Sequence, residues 1–206
     1  MSPLRAAPFL NAAFTYQEDF PYADGDINGQ GPWATDYFAL PSLVVNALTV
    51  HTDPTGNAQS QAVGVLAGAN LALPWSVAID LDYIYDPGNF QAISFYVGDL
   101  NGVFFLIQFG DFAGDGTAGN NGVATTTSAS VFTNIVNTAI ALNNSLRITL
   151  IFDGTSILID VDGVTYGTFF PGDLATLTVP NLGFNLTAPN PAAGFIIRQI
   201  AFAGFI

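Results

Sequence analysis

Along much of the 206-residue chain, apolar and polar positions alternate with a period of two. Between residues 76 and 85, Val77, Ile79, Leu81, Tyr83 and Tyr85 interleave with Ser76, Ala78, Asp80 and Asp82. Successive side chains of a strand point to opposite faces, so this pattern predicts a strand with one buried and one wetter face. Leu146, Ile148, Leu150 and Phe152 alternate with Arg147, Thr149 and Asp153, and Ile157, Ile159 and Val161 with Asp160 and Asp162. Asp153-Gly154 and Asp162-Gly163 separate these runs at hairpin spacing, because glycine accepts the positive φ of a tight turn. Residues 146–170 therefore read as a three-stranded meander.

Further strands are predicted over residues 43–52, 93–97, 103–109, 176–179, 182–186 and 195–202. The run at 103–109 is apolar on both faces, the pattern of a central, covered strand. Residues 110–130 are small and polar and read as a long loop. Residues 130–141 are the single stretch with helical spacing, which their β-branched side chains oppose. No repeat and no domain-scale linker interrupts the chain. Many short strands punctuated by turn signals predict an all-β sandwich or barrel, formed as one domain with its own core.

Composition narrows the chemistry. Half of the residues are hydrophobic and 9 % are charged, as in a packed protein. Three Arg and no Lys stand against fifteen Asp and the single Glu18, a net charge of −13. Such a chain lacks the basic patch that neutralises phosphates, which excludes nucleic-acid binding, and anionic membrane surfaces repel it. The absence of Cys removes disulfides, thiolate nucleophiles and Cys-ligated metals together. His51, the one histidine, sits beside Thr52 and Asp53 and reads as a surface hydrogen-bonding residue. No apolar run of about 20 residues suits a membrane helix. The opening MSPLRAAPFLNAAF lacks the continuous apolar core of a signal peptide, so folding in a reducing cytoplasm is expected.

The segment FTYQEDFPYADGDINGQGPW, from Phe14 to Trp33, resembles the opening of the concanavalin A-like lectin/glucanase jelly rolls, including the laminin-G-like group. The segment SLRITLIFDGTSILIDVDGV, from Ser145 to Val164, resembles the hairpin pair late in that domain. The resemblance implies an antiparallel β-sandwich of jelly-roll type over residues 14–206, with residues 1–13 as a short apolar N-terminal arm. It also implies that the closing strand at 194–202 pairs near the first. Two jelly-roll topologies fit this set of strands. Fold alone carries no chemistry, so each candidate site stands on its own residues.

Glycosidases of this fold carry a Glu-x-Asp-x-Glu-type strand, with two carboxyls flanking the scissile bond. The matching strand here presents Asp80 and Asp82 on one face, with Ala78 in the nucleophile's place. Two carboxylates on the polar face of a strand is the plainer reading, and no catalytic residue is assigned. Asp24-x-Asp26-x-Asn28-Gly29 matches the first half of a calcium loop, but Thr35 stands where the bidentate twelfth-position Glu belongs. Calcium on Asp24, Asp26 and Asn28 competes with an Asx-rich turn capped by its own side chains. Asp111, Asp115, Asn120 and Asn121 form a second oxygen-rich cluster. Trp33 and Trp75, next to prolines, are the rings a sugar-binding face would use, against the alternative of core packing. Leu4, Phe9, Leu10, Phe205 and Ile206 are apolar residues at the two ends that a neighbouring subunit would cover.

The expectation is a non-enzymatic structural protein of a bacteriophage virion, namely a capsid decoration or cement subunit assembled in the host cytoplasm. Its partners would be the major capsid protein and two further copies in a trimer. An acidic protein suits the outside of a DNA-filled shell, because packaged phosphates repel it. The alternative is a carbohydrate-binding, lectin-like module, free-standing or in a tail fibre. No cofactor other than calcium is in question.

Overall fold

The structure, a computed structural model, describes residues 16–31, 33–34, 43–51, 59–65, 71–84, 92–98, 104–111, 121–127, 132–137, 144–153, 155–169, 181–187 and 194–205. In chain order the strands are β1 (Tyr16–Glu18), β2 (Gly25–Asp26), β3 (Trp33–Ala34), β4 (Val44–Asn46), β5 (Thr49–His51), β6 (Gln59–Val65), β7 (Leu71–Ile84) and β8 (Ala92–Gly98). They continue as β9 (Phe104–Asp111), β10 (Asn121–Thr127), β11 (Phe132–Asn137), β12 (Asn144–Phe152), β13 (Ile157–Val161), β14 (Val164–Phe169), β15 (Asn181–Thr187) and β16 (Gly194–Phe205). They form two antiparallel sheets. The nine-stranded sheet runs β14-β13-β12-β7-β16-β5-β4-β2, with β1 also on β16, and the seven-stranded sheet runs β11-β10-β9-β8-β15-β6-β3. The protein is an all-β sandwich of jelly-roll type.

The core follows the period-two pattern. Leu146, Ile148 and Leu150 of β12 stand opposite Leu81, Ile79 and Val77 of β7, and opposite β13 through Val161 and Ile159. All of these side chains are buried. On the other side of β7, Phe195 and Ile197 of β16 pair with Tyr83 and Leu81. The Tyr83 and Phe195 rings stack with centroids 4.3 Å apart. Each fully buried Leu, Ile or Phe of this set contributes about 1.5–3 kcal/mol by leaving water. The opposite phase of the same strands is wet only at one end. Ser76, Ala78, Thr149 and Ala201 are buried as well, whereas Arg147 and Arg198 are exposed and Asp80 and Asp82 half-exposed.

The predicted meander forms as β12, β13 and β14, with two different turns. Asp162 and Gly163, at φ 51° and 82°, make a two-residue hairpin turn. The first turn is longer: residues 153–156 link β12 to β13, and Asp153 closes it. Its Oδ1 accepts from the amides of Thr155 and Ser156 at 2.8 Å each, and its Oδ2 accepts from the Ser156 hydroxyl. The Ser156 and Thr155 amides hold this carboxyl below the usual carboxylate range.

Several expectations are corrected. Residues 43–52 form two strands, β4 and β5, because Ala47 and Leu48 adopt positive φ (49° and 67°) and reverse the chain. The predicted loop at 110–130 contains β10, which pairs with β9 over seven positions from Asn121 to Thr127. The helical reading of 130–141 gives way to β11, since its β-branched residues suit a pleated strand. The closing strand does lie beside the first, with Tyr16 opposite Phe202 and Glu18 opposite Ile200. The arm at 1–13 and the predicted strand at 176–179 lie outside the described residues.

Candidate functional site

The two sheets differ sharply in charge. The nine-stranded sheet carries Glu18, Asp26, His51, Asp80, Asp82, Arg147, Asp160 and Arg198. Among the described strands of the seven-stranded sheet, Asp111 at the end of β9 is the one charged residue.

On the charged sheet, the register brings arginines to the two aspartates that the sequence left without cations. Arg147 stands opposite Asp80, and its Nη1 lies 3.3 Å from Asp80 Oδ2. A bulge in β16 between Ile197 and Gln199 places Arg198 so that its Nη1 reaches Asp82 Oδ1 at 3.1 Å. The Ser145 hydroxyl donates to the same Asp82 oxygen at 2.6 Å and accepts from Arg198 at 3.3 Å. Gln199 donates to Asp19 at 2.6 Å, continuing the band to β1. Each carboxylate is thus matched to its own arginine, and Ala78 holds the third alternate position.

The Asp24–Asn28 loop is built by its own hydrogen bonds. Asp26 Oδ1 accepts from the Asn28 amide, and Asp24 Oδ1 accepts from the Ala47 amide, both at 2.8 Å. Gln30 donates to the carbonyls of Asp26 and Ala23. Ile27, fully buried, anchors the loop by donating its amide to the Leu43 carbonyl. Asp26 and Asn28 thus form an Asx turn. Among the described residues no group of three His, Cys, Asp or Glu could hold a metal ion. In the second oxygen-rich cluster, Asp111 and Asn121 are register partners, while Asp115 and Asn120 lie outside the described residues.

Of the two readings weighed for Trp33, a sugar-facing ring and core packing, the ring takes the core. It is 2 % exposed, its centroid lies 5.8 Å from that of Phe20, and its Nε1 donates to Glu18 Oε2 at 3.2 Å. Glu18, itself buried, also accepts from the Phe20 amide and the Tyr22 hydroxyl. The only Glu of the chain therefore ties β1 to β3. Trp75 stands opposite Phe152 in register, and its side chain lies outside the described set, as do Leu4, Phe9, Leu10, Ile206 and the side chain of Phe205. His51 pairs its Nε2 with Thr49 Oγ1 at 2.6 Å. That hydroxyl donates to the Asn46 carbonyl, so the imidazole donates to it through Nε2–H. Burial lowers the His51 pKa from 6.5.

The seven-stranded sheet holds what the sequence could not reveal. Ile93 is buried, so the alternating positions Ala92, Ser94, Tyr96 and Gly98 hold the opposite face of β8. Buried Trp33 gives the same phase, since it pairs with Gly64, which pairs through Leu182 to Val97. At the level of Ser94, the opposite face carries Gln61, Asn185, Ser94 and Gln108 on four successive strands. The next level along carries Val63, Gly183, Tyr96 and Leu106. With strands about 4.8 Å apart, the row from Gln61 to Gln108 spans about 14 Å. By sequence these four register positions are Gln, Asn, Ser and Gln, none of them charged, and the next level includes Tyr96. Sequence reading missed the alignment because these positions lie far apart along the chain, and only the absence of charge from their segments hinted at it.

No family model and no curated protein matches the sequence. Solved structures do. The CBM2 module of the evolved Dit of Lactobacillus casei BL23 phage J-1 is 9 % identical, with 93 % of this chain and 95 % of that one covered at a TM-score of 0.66. SCLam, a non-specific endo-β-1,3(4)-glucanase, is 12 % identical over 93 % and 91 % of the two chains, with a TM-score of 0.64. Peanut lectin is 13 % identical over 93 % and 97 %, with a TM-score of 0.59. Binding modules, lectins and a glycosidase all share the architecture. The chain has the concanavalin A-like lectin/glucanase jelly-roll fold.

Proposed function

We propose that this protein is a non-catalytic, lectin-like carbohydrate-binding module that serves on a bacteriophage particle. The observation that carries the reading is the jelly-roll fold shared with lectins and a phage-associated module over more than 90 % of the chain; the register positions Gln61, Asn185, Ser94 and Gln108, uncharged in the sequence and aligned on four neighbouring strands, are where it is tested. Carboxamides and hydroxyls both donate and accept, which matches the hydroxyls of a sugar. A tyrosine ring offers an apolar face to a pyranose and a polar tip to its rim. The fold likeness to peanut lectin and to a phage Dit module supports the reading and its phage setting. The pairing of Asp80 and Asp82 with arginines supports a non-catalytic role, because hydrolysis needs two carboxyls set across one bond. A glycan array probed with the full-length protein tests this. Binding that falls roughly five- to tenfold in Asn185→Ala and in Gln61→Ala, both still folded, is expected. Absence of binding to every glycan overturns the reading.

The capsid decoration subunit is the second reading, favoured by the net charge of −13, which suits the outer surface of a DNA-filled shell. It predicts a calcium-independent trimer in sedimentation equilibrium that binds assembled shells of the major capsid protein. A monomer that ignores such shells removes it.

A further inference from the structure

We infer that Asn28-Gly29 is a deamidation site gated by its own turn: shut while the turn holds, modified when it opens, and unable to close again afterwards. In the reaction the Gly29 nitrogen, having given up its proton, bonds to Asn28 Cγ, and ammonia leaves. Water then opens the cyclic imide at either carbonyl, which yields aspartate or isoaspartate at position 28. Glycine suits the attacking position because it has no Cβ to crowd the nitrogen. Both residues are exposed, and a Cβ built on Gly29 meets nothing within 4 Å, so water reaches the site.

Three features of the folded loop oppose ring closure. The Gln30 amide donates to the Ile27 carbonyl at 2.9 Å with Gly29 at φ 78°, a type II turn with Asn28 at its second position. Such a turn holds ψ of that residue at about +120°, roughly 120° from the alignment of Cβ with the next nitrogen that the imide needs. The Gly29 N–H is donated to the Trp33 carbonyl at 2.9 Å, so the proton that must leave is engaged. Asp26, whose Oδ1 accepts from the Asn28 amide at 2.8 Å, sets a carboxylate beside the anion that has to form. Gln30 clamps the closed loop by donating to the carbonyls of Asp26 and Ala23 at 2.6 and 3.1 Å. Isoaspartate adds a methylene to the main chain between residues 28 and 29. The Ile27–Gln30 and Gly29–Trp33 bonds then no longer match, and the loop that seats buried Ile27 and Trp33 is loosened.

The test incubates the full-length protein at mildly alkaline pH, native and in urea. Chymotryptic peptides covering position 28 are followed by mass spectrometry with electron-transfer fragmentation, which tells isoaspartate from aspartate. Conversion is expected in urea, and at least about tenfold slower conversion in the native protein, because opening first breaks two backbone hydrogen bonds. Gln30→Ala, still folded, is expected to speed native conversion at least about threefold and to leave the rate in urea unchanged. The isoaspartate fraction, separated by ion exchange, is expected to unfold at a lower temperature than unconverted protein. Equal rates in native buffer and urea overturn the gate, and absence of conversion in urea overturns the site. An unchanged native rate in Gln30→Ala overturns the clamp, and a converted fraction as stable as its parent overturns the failure to reclose.

Discussion

Gly31→Ala is expected to destabilise the protein more than an added Cβ at Gly25, Gly29 or Gly163, which would meet nothing within 4 Å. Gly31 sits at φ +56°, and a Cβ there would come within 2.6 Å of the Tyr22 ring carbon Cζ. Two penalties follow. An L-residue in the left-handed region costs about 1–2 kcal/mol. The Tyr22 ring must also shift, pulling its hydroxyl away from Glu18 Oε2, where it donates at 2.7 Å. A hydrogen bond to a charged group contributes about 1.5–3 kcal/mol. Together the loss is about 3–4 kcal/mol, a fall in Tm on the order of 10 °C for a chain of this size. Urea unfolding of wild type and variant measures it, with an unchanged slope showing that the two unfold from equivalent states. In a Tyr22→Phe background the hydroxyl is already gone, so Gly31→Ala should cost at least 1 kcal/mol less there. A loss under about 0.5 kcal/mol in wild type, or an equal loss in both backgrounds, refutes the Gly31–Tyr22–Glu18 linkage.

Leu48→Gly should stabilise the protein by about 0.5–1 kcal/mol, because relief of the left-handed strain at φ 67° outweighs glycine's added freedom in the unfolded chain. Thermal unfolding reads this as a Tm higher by roughly 2 °C, with Leu48→Ala, which keeps the Cβ, gaining little. Arg147→Gln should cost no more than about 1 kcal/mol, less in high salt, since its pair with Asp80 is largely exposed. It should also leave glycan affinity unchanged. The His51 pKa is lowered by burial, so the unfolded chain takes up its proton first as pH falls. The stability this provides is full above pH 6.5 and is lost as pH falls from there through the folded value. His51→Asn should flatten that part of the pH–stability curve, and an unchanged slope would speak against it.

The period-two runs at 76–85 and 146–164 were legible because each strand there has one apolar phase facing the core, as buried Val77, Ile79, Leu146 and Ile148 bear out. The strand at 121–127 was hidden by the surrounding glycines and asparagines, which look like loop until β9 and β11 flank it. The hairpin turn at Ala47–Leu48 carries neither Gly nor Asn, so no local signal marked it. For Trp33 the sequence left a sugar contact and core packing both open; a buried acceptor fifteen residues earlier, Glu18, holds it inward. Arg147 and Asp80 are adjacent only through register, and so are Gln61, Asn185, Ser94 and Gln108. Alternation fixes which face a residue takes within its own strand, but the neighbour across the ladder depends on topology. The candidate site is made entirely of such neighbours.

The most direct test follows the side-chain amide signals of Gln61, Gln108 and Asn185 by nitrogen-15 NMR during titration with the tightest-binding oligosaccharide from the array. The account predicts saturable shifts at these three signals and at the backbone amides of Ser94 and Tyr96, with Arg147, Arg198 and Asp82 unmoved. Shifts confined to the nine-stranded sheet, or none at these amides while binding saturates, would contradict it.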